Sequence, residues 1–384
     1  MNKNNLNFFN LLKIISACII AFFLHWNYHF IQFLGINIKN SILSSRIFEF
    51  LLRGPIGYMS VELFFIISGF LFAYIYIPRI VKKEYTFDNF IFKRFIRIMP
   101  LVVLTSFTCY ILTFIMRINN IKCWSTFCGN NINVVSLVYD FLFSGIHVIN
   151  NNLSLNGPIW YINVLLVCYI LAYGISCIYI HFSNKIIFIL PIVLGIIIFE
   201  TGWQFPFLTL STARGYIAFF EGIILYFLIN KMDELKKQLK VFLTCVFSVI
   251  IIISFGYIFL HFENYSNFIS NTNIFVSNLY VFFDFIIYPP LLYILYNFKW
   301  INNFCNTKFI KYLGKISYGI YLWNFPILGG IYLLIRFLKL GDEAIIKYWF
   351  LIWIIMVILH FILAILSYNF IEKRFINTKN MKND

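Results

Sequence analysis

A chain of 384 residues that is 61% hydrophobic and 12% charged, with a mean hydropathy of +0.84, carries more apolar surface than one soluble core can hide. The formal charge of +15 is spread between apolar runs rather than gathered in a soluble basic domain, which excludes a nucleic-acid module. What remains is an all-α polytopic membrane protein.

Ten apolar runs approach the ~20 residues that cross a bilayer: 11–34, 59–78, 98–116, 159–180, 186–201, 214–230, 240–261, 277–297, 316–338 and 347–370. They predict about ten transmembrane helices in one bundle, over 8–375 of a single domain 1–384, with a short tail at 376–384. The run at 186–201 is the weakest, being short and containing Pro191. With the N-terminus inside, 20 of the 30 Lys and Arg residues fall on inside segments, so the positive-inside rule puts both termini in the cytoplasm. The first run is as long as a full span and has no small-residue cleavage site behind it, so it is expected to stay as the first helix.

Run one, FFNLLKIISACIIAFFLHWNYHF, places Lys13 near the cytoplasmic entrance and His25 about 18 Å further along a helix. An imidazole at that depth suits a general base, because its ordinary pKa lies near neutrality and a carboxylate can hold its tautomer. His29, one turn on, is an interfacial neighbour or a substrate contact. Run two, SVELFFIISGFLFAYIYIP, holds an acid and a Ser-Gly break. Glu62 is costly in hydrocarbon and hence a functional-site candidate. The loop that follows ends KRFIRIMP, where Arg94 and Arg97 share a helical face suited to a phosphate-rich ligand, and Pro100 closes the turn into the next span. The same charges also fit a purely topological role.

In the long loop at 117–158, expected outside, Cys123 and Cys128 are spaced for a local disulfide. They lack the nearby His or second Cys pair of a zinc site, and no metal is expected. Arg214 and Glu221, seven apart in run six, share a face and are expected to neutralise each other. Asp284 in run eight has no evident partner. Ser317, Tyr318 and Tyr321 in run nine read as hydroxyls bonding within the bundle.

Taken together, LLKIISACIIAFFLH, SVELFFIISGFLFAYIY, FKRFIRIMP, NGPIWYINVLL, LGKISYGIYLWNFPI and LSYNFIEKRF resemble the membrane acyltransferase-3 family, in order, from about residue 8 to 375. The resemblance implies a bacterial inner-membrane enzyme that moves acetyl groups from cytoplasmic acetyl-CoA to a hydroxyl of a surface glycan: O-antigen of lipopolysaccharide, capsule, or a polyprenyl-linked precursor. Carried over by position, His25 is the catalytic base, Glu62 replaces the acid, commonly Asp, before FF, and Ser68 with Gly69 matches the Ser-Gly element; in the mechanism these residues suggest, Glu62 orients His25 and Ser68 or Tyr318 serves the oxyanion. Arg94 and Arg97, with Lys93 adding charge, hold the CoA phosphates. Trp160 and Tyr161 form the family's aromatic pair, which with Ser317 and Tyr318 faces the acceptor sugar.

Three departures stand out. Eleven residues separate Lys13 from His25 where the family has ten, which calls for a π-bulge or a different partner. Leu165 replaces an acid common five residues after the Trp. Asn324 stands where many members have the histidine of W-H-x-P, leaving only an amide hydrogen-bonding role. Direct transfer and an acetyl-histidine intermediate are both compatible with these residues. So, on composition alone, are a polysaccharide polymerase or flippase and a catalytically dead family member. No soluble hydrolase-like domain is expected after residue 375.

Overall fold

The computed structural model describes residues 6–26, 30, 34, 50, 55–122, 137, 155–268 and 279–377. Over these residues it is 87% helical, with no strand among them. In chain order the principal helices are α1 (Phe8–Ile19), α2 (Ile56–Ile75), α3 (Phe87–Ile118), α4 (Ile159–Phe182), α5 (Leu190–Thr201), α6 (Leu210–Met232), α7 (Lys237–Phe268), α8 (Tyr288–Asn297), α9 (Lys308–Leu322), α10 (Asn324–Phe337) and α11 (Asp342–Ser367). Three π-turns interrupt this series, at Ile20–Leu24, Phe283–Ile287 and Tyr368–Glu372. All ten apolar runs are helical over most of their described residues, with turn residues at Leu34, Tyr76, Trp323 and Leu338. Among these, seven helices are long and apolar enough to cross a membrane, and eight if α9 and α10, bent by 53°, count as one span. Two runs fall short by length: Phe8–Leu24 and the twelve-residue α5. Pro191 does not break the latter. It starts it, in the first-turn position where its missing N–H is harmless.

Two compact units emerge, one from 1–16, 53–90 and 164–314, the other from 17–52, 91–163 and 315–384. In the first, α2 and α6 touch backbone to backbone. A Cβ on Gly69 would stand 1.8 Å from the Phe219 carbonyl oxygen, and one on Gly222 would stand 2.1 Å from that of Ile66. Small residues that let helices approach this closely replace the hydrophobic driving force that lipid cannot supply. The Ser-Gly pair therefore makes no break: α2 runs unbroken from Ile56 to Ile75, and Gly69 is there for contact with α6.

In the second unit, Gly319 lets α9 reach Ala364 of α11, with 3.1 Å from an added Cβ to its Cα. Two hydroxyls at depth are satisfied within their own helix, where Thr105 and Thr113 donate to the carbonyls of Leu101 and Cys109. A second correction concerns Pro100, which lies inside α3 rather than at a turn. α3 begins at Phe87 and runs 32 residues, about 48 Å at 1.5 Å per residue. That exceeds the ~30 Å hydrocarbon core, so Lys93, Arg94 and Arg97 stand on the helix itself, in its early turns.

Candidate active site

The second unit gathers most of the expected site residues. The α9–α10 bend is built by Pro326, which has no N–H to offer the Leu322 carbonyl four residues back. Asn156 fills that vacancy: its side-chain Nδ2 donates to the Leu322 oxygen at 3.1 Å, and Asn156 is fully buried. Next in sequence, Gly157 is required because the Phe325 ring occupies the place of a Cβ, 2.6 Å away. The same ring meets the His25 imidazole edge to face, with centroids 5.4 Å apart and planes at 84°. NGPIWY, LWNFPI and the end of the first-helix motif thus interlock around His25.

His25 is half-buried and directly follows the π-turn Ile20–Leu24, its N–H reaching the Ile20 carbonyl five residues back. A π-turn holds one more residue than an α-turn. It absorbs the one-residue excess between Lys13 and His25, so the bulge that the longer spacing calls for is present. Lys13 itself lies half-buried on α1. Asn324, adjacent to Phe325, is fully buried, and neither end of its amide has a hydrogen-bond partner among the described residues. The indole N–H of Trp323 is buried and unpartnered in the same sense. Such groups are uncommon in native interiors and call for an explanation.

Tyr161 packs against Tyr321, centroids 5.8 Å apart at 79°, with Trp160 half-buried beside it. Leu165 is buried and apolar. Further back along α9, the Tyr318 hydroxyl donates to the Ile98 carbonyl at 3.0 Å and so ties α9 to the basic stretch of α3. That bond engages the hydroxyl proton of Tyr318. Ser317 is buried next to it. Arg97 is exposed and lies within electrostatic reach of the buried Glu372. Arg94 is half-buried and Lys93 exposed. From the level of Tyr318 to that of Phe325, the chain rises seven residues, about 10 Å at the helical rise.

Glu62 and Ser68 belong to the first unit. Glu62 is fully buried, and one carboxylate oxygen accepts from Nε of Arg214 in an ion pair. Arg214 therefore pairs across to α2, not with Glu221 on its own helix as its spacing suggested. Its guanidinium carbon also lies 4.5 Å from the Tyr280 ring centre. Glu221 and Asp284 are buried and carry no hydrogen bond among the described residues. The Tyr288 hydroxyl, which faces this group, donates to the Met59 carbonyl. Ser68 is half-buried on α2. His29, Cys123 and Cys128 lie outside the described residues. Among those described, no group of three His, Cys, Asp or Glu stands at metal-binding distances.

A family model described as an acyltransferase domain, that of the membrane acyltransferase-3 family, matches residues 6–369. The chain belongs to this family. No curated protein and no solved structure matches it. Membership makes this acyltransferase a membrane enzyme of acyl transfer, as the quoted motifs implied, and favours that chemistry over a polymerase or flippase. Sequence reasoning passed over Asn156, Phe325 and Glu372 although each lies in a quoted motif. The spacing of Pro326 four residues after Leu322 was the available signal for Asn156, since it orphans one carbonyl that a nearby amide must reach.

Proposed function

We propose that the protein transfers an acetyl group from cytoplasmic acetyl-CoA to a hydroxyl of an envelope glycan or its polyprenyl-linked precursor, in a bacterial inner membrane, with both termini cytoplasmic. The observation that carries this reading is the grouping, in one compact unit, of His25 against the α9–α10 bend with the basic stretch of α3 that Tyr318 ties to α9. Lys93, Arg94 and Arg97 hold the CoA phosphates, where forked guanidinium groups give charge-assisted bonds. The thioester lies toward Phe325, one helical stretch away, and the acceptor sugar is faced by Trp160, Tyr161 and Ser317.

His25 takes the proton of the acceptor hydroxyl as its oxygen forms a bond to the thioester carbonyl carbon. The tetrahedral oxyanion then collapses, the carbon–sulfur bond breaks, and the imidazolium returns the proton to the CoA sulfur. Atoms and charge balance without a further reactant. The buried amide of Asn324 and the indole N–H of Trp323 are placed to donate to the oxyanion, which accounts for their lack of partners among the described residues. This mechanism uses groups of the second unit alone; Glu62 serves as the charge partner of Arg214.

Purified enzyme with labelled acetyl-CoA and lipid-linked oligosaccharide tests it. His25→Ala is expected to lower transfer about 10²- to 10⁴-fold, the usual span for a general base. Arg97→Ala is expected to raise KM for acetyl-CoA about tenfold or more, as for one charged hydrogen bond, with kcat little changed. Near-normal transfer by His25→Ala defeats the assignment. Glycan NMR with and without the gene then identifies the acetylated position.

A further inference from the structure

Between α1 and His25 the backbone is in an unfavourable form. π-turns occur in well under 1% of residues, and they persist where the surroundings hold them. Over Ile20–Leu24 the amide-to-carbonyl ladder shifts from four to five residues, as the bond from the His25 N–H to the Ile20 oxygen shows. Such a shift leaves a carbonyl displaced from its amide, and in an apolar bundle that oxygen needs another donor. Trp353 of α11 supplies one. Its indole Nε1–H donates to the Phe22 carbonyl at 2.8 Å, in the middle of the π-turn. The Phe22 ring is clamped as well, edge-on to His360 of the same helix at 5.3 Å and 82° and against Phe361 at 5.9 Å.

We propose that Trp353 is a positioning residue for His25: its N–H pins the π-turn and thereby fixes the direction in which the imidazole leaves the first helix. The inference rests on the reading of His25 as the base. Without the indole donor the segment can rewind as an α-helix, and one residue of slip rotates all that follows by about 100°. Such a rotation would carry the imidazole away from the acyl carbon. The indole is suited to this task because it donates and cannot accept.

The test uses the full-length enzyme in detergent–lipid micelles. Trp353→Phe keeps the ring and removes only the N–H. The expected result is a fall in kcat of about 10- to 100-fold, the population shift toward the rewound form that one lost hydrogen bond allows, with KM for acetyl-CoA unchanged within about twofold. Amide exchange in the Ile20–Trp26 peptide is expected to rise while that of α9 and α10 stays as in the wild type. A rescue arm deletes Ala21, which removes the extra residue and allows an ordinary α-helix. In that background Trp353→Phe is expected to change kcat by less than about threefold, because no π-turn remains to be pinned. Unchanged kcat together with unchanged exchange in the single variant overturns the proposal, as does an equally large loss in the deletion background. If the deletion chain does not fold, exchange and kinetics of the single variant decide. An active His25→Ala would sink the base assignment instead, while the exchange measurement would still report on the π-turn.

Discussion

Asn324→Leu separates a structural from a catalytic role for the amide beside the α9–α10 bend. Leucine has the same number and branching of heavy atoms, and the side chain it replaces is fully buried with both amide atoms lacking a hydrogen-bond partner among the described residues. A polar group in that position destabilises the fold by about 1–3 kcal/mol relative to an apolar one of the same shape. The substitution is therefore expected to stabilise the enzyme by about that amount, read by titration with a denaturing detergent from lipid micelles. If the same amide donates to the oxyanion, kcat falls about 10²- to 10³-fold, the effect of losing one such donor. KM for acetyl-CoA should stay near the wild-type value, since the phosphates are held on α3. Asn324→His, which restores the residue common at this position in the family, retains an N–H donor and is expected to recover part of kcat. A variant that is less stable and as active as the wild type would refute the reasoning, because it would show that the amide has a structural partner.

Arg214→Met leaves the Glu62 carboxylate buried without its ion-pair partner, and a loss of about 3–5 kcal/mol is expected. The double replacement Glu62→Leu with Arg214→Met should return stability to within about 1 kcal/mol of the wild type, checked by the same titration. Asn156→Ala strips the Leu322 carbonyl of its side-chain donor among the described residues and is expected to destabilise by about 1–3 kcal/mol. Gly222→Ala drives a methyl group to 2.1 Å from the Ile66 carbonyl oxygen, and α2 and α6 must part; a loss of about 1–3 kcal/mol or more should appear as a lowered melting temperature.

The helical plan was readable because hydropathy reports length and apolarity, which are what a bilayer selects. The residues that build the site were readable only as far as motifs carried them. His25 and the basic stretch were found, yet the loop assigned to the latter is helix. Proline at position 100 was read as closing a turn into the next span, although a long helix tolerates one interior proline where surrounding groups take up the freed carbonyl. The partner of Arg214 was misread for a related reason. Spacing along one helix shows which residues share a face, whereas the carboxylate that arrived came from α2, brought in by two glycines whose meaning depends on a helix 150 residues away in sequence.

Local widening of the helices was the feature least visible in the sequence and the one most closely tied to chemistry. Each of the three π-turns among the described residues delivers a polar group: His25 follows the first, Asp284 lies in the second, and Glu372, which faces Arg97, ends the third. One inserted residue re-aims the side chains beyond it by about 100° without lengthening the apolar run noticeably. Hydropathy cannot register such a change, because the flanking residues are apolar on every face of these helices. Only a ruler external to the composition can, and the twelve positions from Lys13 to His25, one more than the family's, served as that ruler once. No comparable spacing was at hand for Asp284 or Glu372. The polar groups of this bundle thus owe their orientation to backbone irregularities that side-chain contacts such as Trp353 to Phe22 must hold in place.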